Sequence, residues 1–319
     1  MSDPKKAPSR EARRSEQEWQ GLDLAGAPLA GELASDFDLL AKAGEEPLPH
    51  PRETRIIAVA NQKGGVGKTT TAVNIAAALA DGGLNVLVVD ADPQANATTA
   101  LGVEHKEGML SLYDVMEGRA GLLDIVGRNA RHPRLLIAPS SIDLSLIDID
   151  IADAPDRRYR LRNSLIEGLE ALRGQGVAVD YVIIDCPPSM SLLPINALVA
   201  AHEVMIPVQC EYYALEGLTQ LLRTIESART GANPGLQVST IILTMYNKNT
   251  NLSADVAANV REYFPEQTLE TEIPRSIRIA ESPSFGETVI SYAPRSSGAI
   301  AYRAAAAEIA RRGGEEKGL

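Results

Sequence analysis

The stretch RIIAVANQKGGVGKTTTAVNIAAALADGG, beginning at Arg55, constrains the fold of this chain more than any other. A β-branched apolar run leads into Gly64, Gly65 and Gly67, and an alanine-rich helical stretch follows Lys68 and ends at Gly82 and Gly83. Strand, glycine loop and helix in that order make an anion cradle: glycines let backbone N–H groups wrap a phosphate, and the helix N-terminus adds partial positive charge. Gly64, Gly65, Val66, Gly67, Lys68, Thr69 and Thr70 are therefore expected to bind nucleotide phosphates. Lys68 would reach the β- and γ-phosphates and the Thr69 hydroxyl would face Mg²⁺. The loop also departs from the common G-x-x-x-x-G-K-[ST] pattern, with Gln62 at the first glycine position and a lysine, Lys63, ahead of the glycines.

The rest of the chain fixes the class of sheet. IIAVAN, NVLVVDAD, RLLIAPS, DYVIIDCPP, EVMIPVQ and STIILTM read as strands, most of them apolar on both faces. TTTAVNIAAALADGG, RYRLRNSLIEGLEALRGQ, SLLPINALVAAH, ALEGLTQLLRTIESART, SADVAANVREYF and GAIAYRAAAAEIARR read as helices. The alternation predicts an α/β fold with a doubly wound, mostly parallel sheet and helices on both faces. One such domain is expected over 55–312. Residues 1–54 mix both charge signs with Pro and Ser, and Pro47, Pro49 and Pro51 close the segment. It reads as a flexible extension in which Leu29, Leu33, Phe37 and Leu40 are spaced for one short amphipathic helix. Residues 313–319 read as a flexible tail.

Two acidic positions complete the expected site. In YVIIDCPPS a strand ends at Asp185 and two prolines stop it, which suits a carboxylate that holds Mg²⁺ through water. In NVLVVDADPQAN, Asp90 and Asp92 lie two apart and share a side if the strand persists. Asp92, next to Pro93, is placed to orient or activate an attacking water.

Composition narrows the alternatives. A net charge of −11 speaks against a surface that coats nucleic acid everywhere, while leaving room for a local basic patch. The two cysteines, Cys186 and Cys210, have no metal-ligand spacing and read as small apolar residues in a reducing cytoplasm. No apolar run of about 18 residues could cross a membrane, and the start is not signal-like.

At KGGVGKTT, DADPQAN, DCPPS, QCEYYALEGL and IPRSIRIAESPSFG the sequence closely resembles the ParA/Soj partition ATPases. These belong to the deviant Walker-A group, with MinD and the nitrogenase iron protein. The likeness spans roughly Arg55 to Arg312. It implies ATP as the nucleotide, a homodimer that sandwiches ATP, and Lys63 reaching across the interface to phosphates held by the other copy. It further implies Asp92 as the hydrolytic carboxylate, Gln94 and Asn96 in a switch segment, and Glu211 to Gly217 lining the dimer interface. Met245 and Pro274 match positions near the base.

The resemblance also implies non-specific binding of double-stranded DNA by the ATP dimer and release on hydrolysis stimulated by a ParB-type centromere-binding protein. From Arg275 to Arg312 the chain carries six arginines against three glutamates, a reversal of its overall charge. Arg275, Arg278, Arg295 and Arg303 are the expected DNA contacts, whereas Arg311 and Arg312 suit the carboxyl end of a helix. Asn247, Asn249 and Ala293 depart from T-M-[FY]-D-x-R-T-N-L-S and Y-D-P-R-S in relatives, which alters the charge pairing there. The alternative reading is a MinD-like membrane-associated ATPase in division-site placement, but AAAAEIARRGGEEKGL is too alanine-rich and glycine-broken to insert into a bilayer. An iron-protein role lacks cluster cysteines, and an idle adaptor would not need Lys63, Lys68 and Asp92 together. The expected location is cytoplasmic and nucleoid-associated, with a polar scaffold protein as a candidate partner for the extension.

Overall fold

The computed structural model describes residues 47–104, 108–189, 191–212 and 214–314, with the side chains of 214–216 left aside. The helix expected around Leu29 to Leu40 and the tail after Gly314 lie outside the described residues.

All six expected strands form: β1 (Arg55–Val59), β2 (Val86–Asp90), β4 (Leu135–Ala138), β5 (Tyr181–Asp185), β6 (Glu203–Gln209) and β7 (Gln237–Thr244). A two-residue strand that the sequence does not signal, β3 (Gly127–Arg128), pairs antiparallel with β4 at one edge. The sheet order is β3-β4-β2-β5-β1-β6-β7, and every pairing except β3 with β4 is parallel. β5 lies between β1 and β2, so the carboxyl ends of three strands converge where the glycine loop leaves β1.

The helices also follow the sequence: α1 (Lys68–Asp81), α4 (Arg160–Gly174), α5 (Leu192–Ala200), α6 (Ala214–Gly231), α7 (Asn251–Tyr263) and α8 (Ser297–Gly314) match the six expected stretches. Short helices α2 (Asn96–Ala100) and α3 (Leu112–Glu117) follow β2. Alternation along β1 divides the core: Ile56 and Ala58 pack into one apolar cluster, Ile57 and Val59 into the other. This two-sided burial is why the strands read as continuous apolar runs rather than alternating ones. Both cysteines are buried in the first cluster.

Residues 47–54, which the sequence places in the extension, run along the domain at the end of the sheet opposite the glycine loop. Leu48 is buried, its N–H donates to the Gly82 carbonyl at 3.0 Å, and the Thr54 hydroxyl donates to the Val179 carbonyl at 2.7 Å. A β-carbon on Gly82 would stand 2.4 Å from Leu48 Cδ1, so the glycine that ends α1 is also the seat of Leu48.

Candidate functional site

β1 ends in the core and hands over to a loop whose shape depends on two glycines with left-handed backbone. Gly65 has φ 74° and Gly67 φ 87°, a region that costs other residues about 1–2 kcal/mol. A β-carbon at Gly64 or Gly65 would meet nothing within 4 Å, so this exposed part of the loop borders open space. α1 begins at Lys68, one residue earlier than the sequence indicates. The loop is held from behind by groups the sequence does not single out. Asn61, buried at the strand end, donates to the Pro207 carbonyl at 2.8 Å and accepts the Lys63 N–H at 3.0 Å. The Thr244 hydroxyl donates to the Val66 carbonyl at 2.9 Å. A polar residue directly after an apolar strand is the available signal for Asn61; Thr244 lies 178 positions from its partner and has none.

Lys68 is buried, and its ammonium donates to the Lys63 carbonyl at 3.2 Å. Burial lowers its pKa, while Asp185, Cys186 and Asp92 act in the opposite direction. Asp185 ends β5 beside Val59 of β1 and Asp90 of β2. It is fully buried, and neither carboxylate oxygen has a hydrogen-bond partner. Burial pushes its pKa well above the ordinary range, the Asp90 carboxylate adds to that, and the nearby Thr69 hydroxyl works against it. An orphaned buried carboxylate beside a lysine and a threonine is the expected state of a group awaiting a cation. The residues present therefore fit Mg²⁺, which Thr69 would ligate directly and Asp185 would hold through water.

β2 ends at Asp90, so Asp90 and Asp92 are related by a turn rather than by a continuing strand. Asp90 accepts from the Thr98 N–H and hydroxyl, each at 2.7 Å, and from the Asp92 N–H at 3.2 Å. Its pKa is pushed up to about 6 by burial, against the pull of those bonds. Asp90 thus ties α2 to β2. Asp92 is buried, accepts the Gln94 N–H at 3.0 Å and is followed by Ala95 in the left-handed region, while Gln94 and Asn96 are exposed.

Lys63 sits on the rim of the cradle, about a third exposed, with its ammonium 3.5 Å from Glu211. Met245 and Pro274 are brought together by a bridge between Tyr246 and Pro274, in which the Tyr246 N–H donates to Ile273 at 3.0 Å and the Arg275 N–H to Tyr246 at 3.1 Å. Both are half-buried, and Met245 has φ 51°. Arg275, Arg278 and Arg295 are exposed, Arg278 pairing with Glu281 at 3.2 Å. Arg303 is different: it donates to the Pro294 carbonyl at 2.7 Å and the Ile290 carbonyl at 3.3 Å, and lies 3.7 Å from Asp81. Arg311 and Arg312 lie in the last turn of α8, as expected, and Arg312 also donates to the carbonyls of Glu266 and Thr268 and pairs with Glu308.

A glycine loop between β1 and α1, a buried lysine at its end and a carboxylate without hydrogen-bond partners on the neighbouring central strand β5 define a P-loop ATPase. The AAA domain family matches residues 54–238. The chain is 46% identical over 255 residues to the chromosome partitioning protein ParA of Caulobacter vibrioides, covering 80% of this chain and 93% of that one. It is 47% identical over 259 residues to the chromosome-partitioning ATPase Soj of Thermus thermophilus, covering 81% and 96%. The chain belongs to the ParA/Soj family of chromosome-partitioning ATPases.

Solved structures agree on the fold. Cobyrinic acid a,c-diamide synthase from Mycobacterium smegmatis, with bound ADP and magnesium, superposes with a TM-score of 0.69 at 36% identity, covering 81% of this chain and 95% of that one. The cell division ATPase MinD of Pyrococcus furiosus gives 0.65 at 26%, covering 81% and 99%.

Proposed function

We propose that this chain is an ATP-driven DNA-segregation switch. Two copies close around ATP and Mg²⁺, the dimer holds double-stranded DNA without sequence preference, and a ParB-type partner stimulates hydrolysis and thereby release. The protein would then be cytoplasmic and nucleoid-associated. The observation that carries the nucleotide part is the fully buried Asp185, its oxygens without hydrogen-bond partners, near Lys68 and at the strand ends where the glycine loop leaves β1.

Each residue has a physical task. Backbone N–H groups from Gly64 to Thr70 surround the phosphates, and Lys68 exchanges the Lys63 carbonyl for phosphate oxygen, whose negative charge favours the ammonium that burial disfavours. Met245 and Pro274 flank the base. Mg²⁺, when bound, offsets negative charge on the β- and γ-phosphates. Asp92, anchored through Gln94, orients the attacking water. Lys63, on the rim and only loosely paired with Glu211, extends to the phosphates of the other copy, where a cation stabilises charge on the transferring group. The binding of ADP or an ATP analogue with magnesium by the structural neighbours favours the same cofactors here. The exposed Arg275, Arg278 and Arg295 provide the phosphate-backbone contacts.

The test is DNA retention by wild type and Asp92→Ala with ADP and ATP across a salt series. ATP should place both on DNA with a steep loss as salt rises, and Asp92→Ala should stay bound because it cannot hydrolyse. Equal retention with ADP and ATP, or rapid release of Asp92→Ala, would overturn the proposal.

A further inference from the structure

The loop from Asp92 to Thr98 leaves the end of β2 and returns to it, and a single side chain holds both of its ends. Oδ1 of Asp90 accepts the Asp92 N–H at 3.2 Å, where the loop starts. Oδ2 of the same carboxylate accepts the N–H and the hydroxyl of Thr98, each at 2.7 Å, where the loop closes in α2. The Thr98 hydroxyl in turn accepts the Ser140 N–H at 3.0 Å, which bolts the closure to the segment after β4. Asp90, Thr98 and Ser140 are fully buried, so water does not compete for these bonds.

The closed loop carries the carboxylate assigned to hydrolysis. Asp92 is buried, and its charge acts on both Lys68 and Asp185, so it belongs to the same cluster. Its side chain accepts the Gln94 N–H at 3.0 Å and its carbonyl the Ala95 N–H at 2.9 Å, with Ala95 at φ 53°. A left-handed alanine is disfavoured and persists where its surroundings over-determine it. Here the fixed loop ends do so.

Thr98 is the joint of this arrangement. Its hydroxyl donates to Asp90 and accepts from Ser140 at once, a pair of bonds that a valine of the same shape cannot make and a serine can. The glycine loop is held by different groups, Asn61 and Thr244, so the phosphate cradle does not depend on Thr98. We infer that Thr98 is a positioning residue for ATP hydrolysis: through Asp90 its hydroxyl fixes the loop that carries Asp92, and so governs the chemical step rather than ATP binding. The inference rests on the hydrolytic role proposed for Asp92 and adds what holds that carboxylate in place. A misplacement of about 1 Å in a reacting constellation can cost about a hundredfold in rate.

The experiment measures kcat and KM for ATP with full-length wild type, Thr98→Val, Thr98→Ala, Thr98→Ser and Asp92→Ala, and follows ATP-dependent dimerisation by sedimentation. Thr98→Val and Thr98→Ala should lose at least about tenfold in kcat while KM and dimerisation stay within about twofold of wild type. Thr98→Ser, which keeps the hydroxyl, should stay within about threefold of wild-type kcat. A purely structural role would instead move kcat, KM and dimerisation together. Should Thr98→Val not fold, Thr98→Ala carries the comparison, since it removes the hydroxyl without placing a methyl against Asp90. Wild-type kcat in a folded variant without the hydroxyl, or a KM that rises in step with the lost turnover, would overturn the inference. So would a Thr98→Ser variant as slow as Thr98→Val, because the methyl group would then be what matters. Asp92→Ala turning over ATP like wild type would overturn the hydrolytic role of Asp92 itself, and the positioning role with it.

Discussion

Asp90 and Asp185 stand opposite each other on adjacent parallel strands, paired in register at the carboxyl ends of β2 and β5. Their bonding differs: Asp90 accepts three hydrogen bonds from Thr98 and Asp92, whereas no donor reaches either oxygen of Asp185 in good hydrogen-bond geometry and only the nearby Thr69 hydroxyl and Lys68 favour its charge. Two buried carboxylates side by side destabilise each other, and the arrangement becomes favourable once a cation is present. On the proposed function, Mg-nucleotide bound here would relieve that repulsion.

Asp185→Asn tests that directly. Without nucleotide the variant should be as stable as wild type or more stable, by about 1–3 kcal/mol, because a carboxyl group that burial and Asp90 disfavour is replaced by a neutral amide of the same shape. With Mg-ATP wild type should gain thermal stability by ligand linkage and the variant should gain little. Thermal melts with and without Mg-ATP provide the check. A variant that is destabilised when empty yet shows the full Mg-ATP shift would contradict the role given to Asp185.

Lys63→Ala should separate folding from assembly. Its contact with Glu211 is long and exposed, so losing it should cost under about 1 kcal/mol of stability. ATP-dependent dimerisation, measured by sedimentation in an Asp92→Ala background, should nevertheless disappear. A dimer that forms as readily without the lysine would remove the contact across the interface.

The contrast between these residues shows what a sequence makes legible. The phosphate loop and Asp185 are legible because each sits at the end of an apolar strand, where a change of residue type marks where the strand stops. The sheet is legible for the same reason, since strands buried on both faces must be continuously apolar. β3 is not, because Gly127 and Arg128 are too few to form a pattern. α2 and α3 span barely one turn or two, below the length at which helical periodicity separates from chance. Pairings across the fold, such as Thr244 with Val66 or Leu48 with Gly82, depend on tertiary proximity that local composition does not encode. Arg303 was legible as a charge, but the carbonyls that occupy it were not.

The buried pair at the opposite end of the sheet gives a pH prediction. Glu203 receives two Arg55 N–H bonds, each at 2.7 Å. Burial alone would raise its pKa from the ordinary 4.5, but the Arg55 hydrogen bonds and charge outweigh it, and the net shift is downward. A carboxylate whose pKa is depressed in the folded state contributes stability above pH 4.5 and loses it as pH falls through the folded value. Glu203→Gln should therefore cost about 3–5 kcal/mol near neutral pH, because Arg55 is left buried without its counter-charge. The gap to wild type should narrow as denaturant midpoints are followed into acid. A gap that stays constant, or widens below pH 4.5, would show that Glu203 is not held ionised by Arg55.

The arginines expected to meet DNA should divide into two classes. Arg303 is half-buried and bridges the end of α1, through Asp81, to the carbonyls of Ile290 and Pro294 ahead of α8. Removing it leaves those carbonyls without their donor, so Arg303→Ala should lower stability by about 1–3 kcal/mol. Any loss of DNA retention should accompany that general loosening. Arg275 and Arg295 are exposed, and replacing either with alanine should leave the melting temperature within about 1 °C of wild type. Each of those two substitutions should instead reduce the slope of log affinity against log salt by about 0.9, the signature of one lost phosphate contact. Parallel melts and salt titrations of the three variants distinguish the classes. If Arg303→Ala were as stable as wild type but shared the reduced salt slope, it would rejoin the DNA surface; if Arg275→Ala and Arg295→Ala left the slope unchanged, that surface would have to be sought elsewhere on the chain.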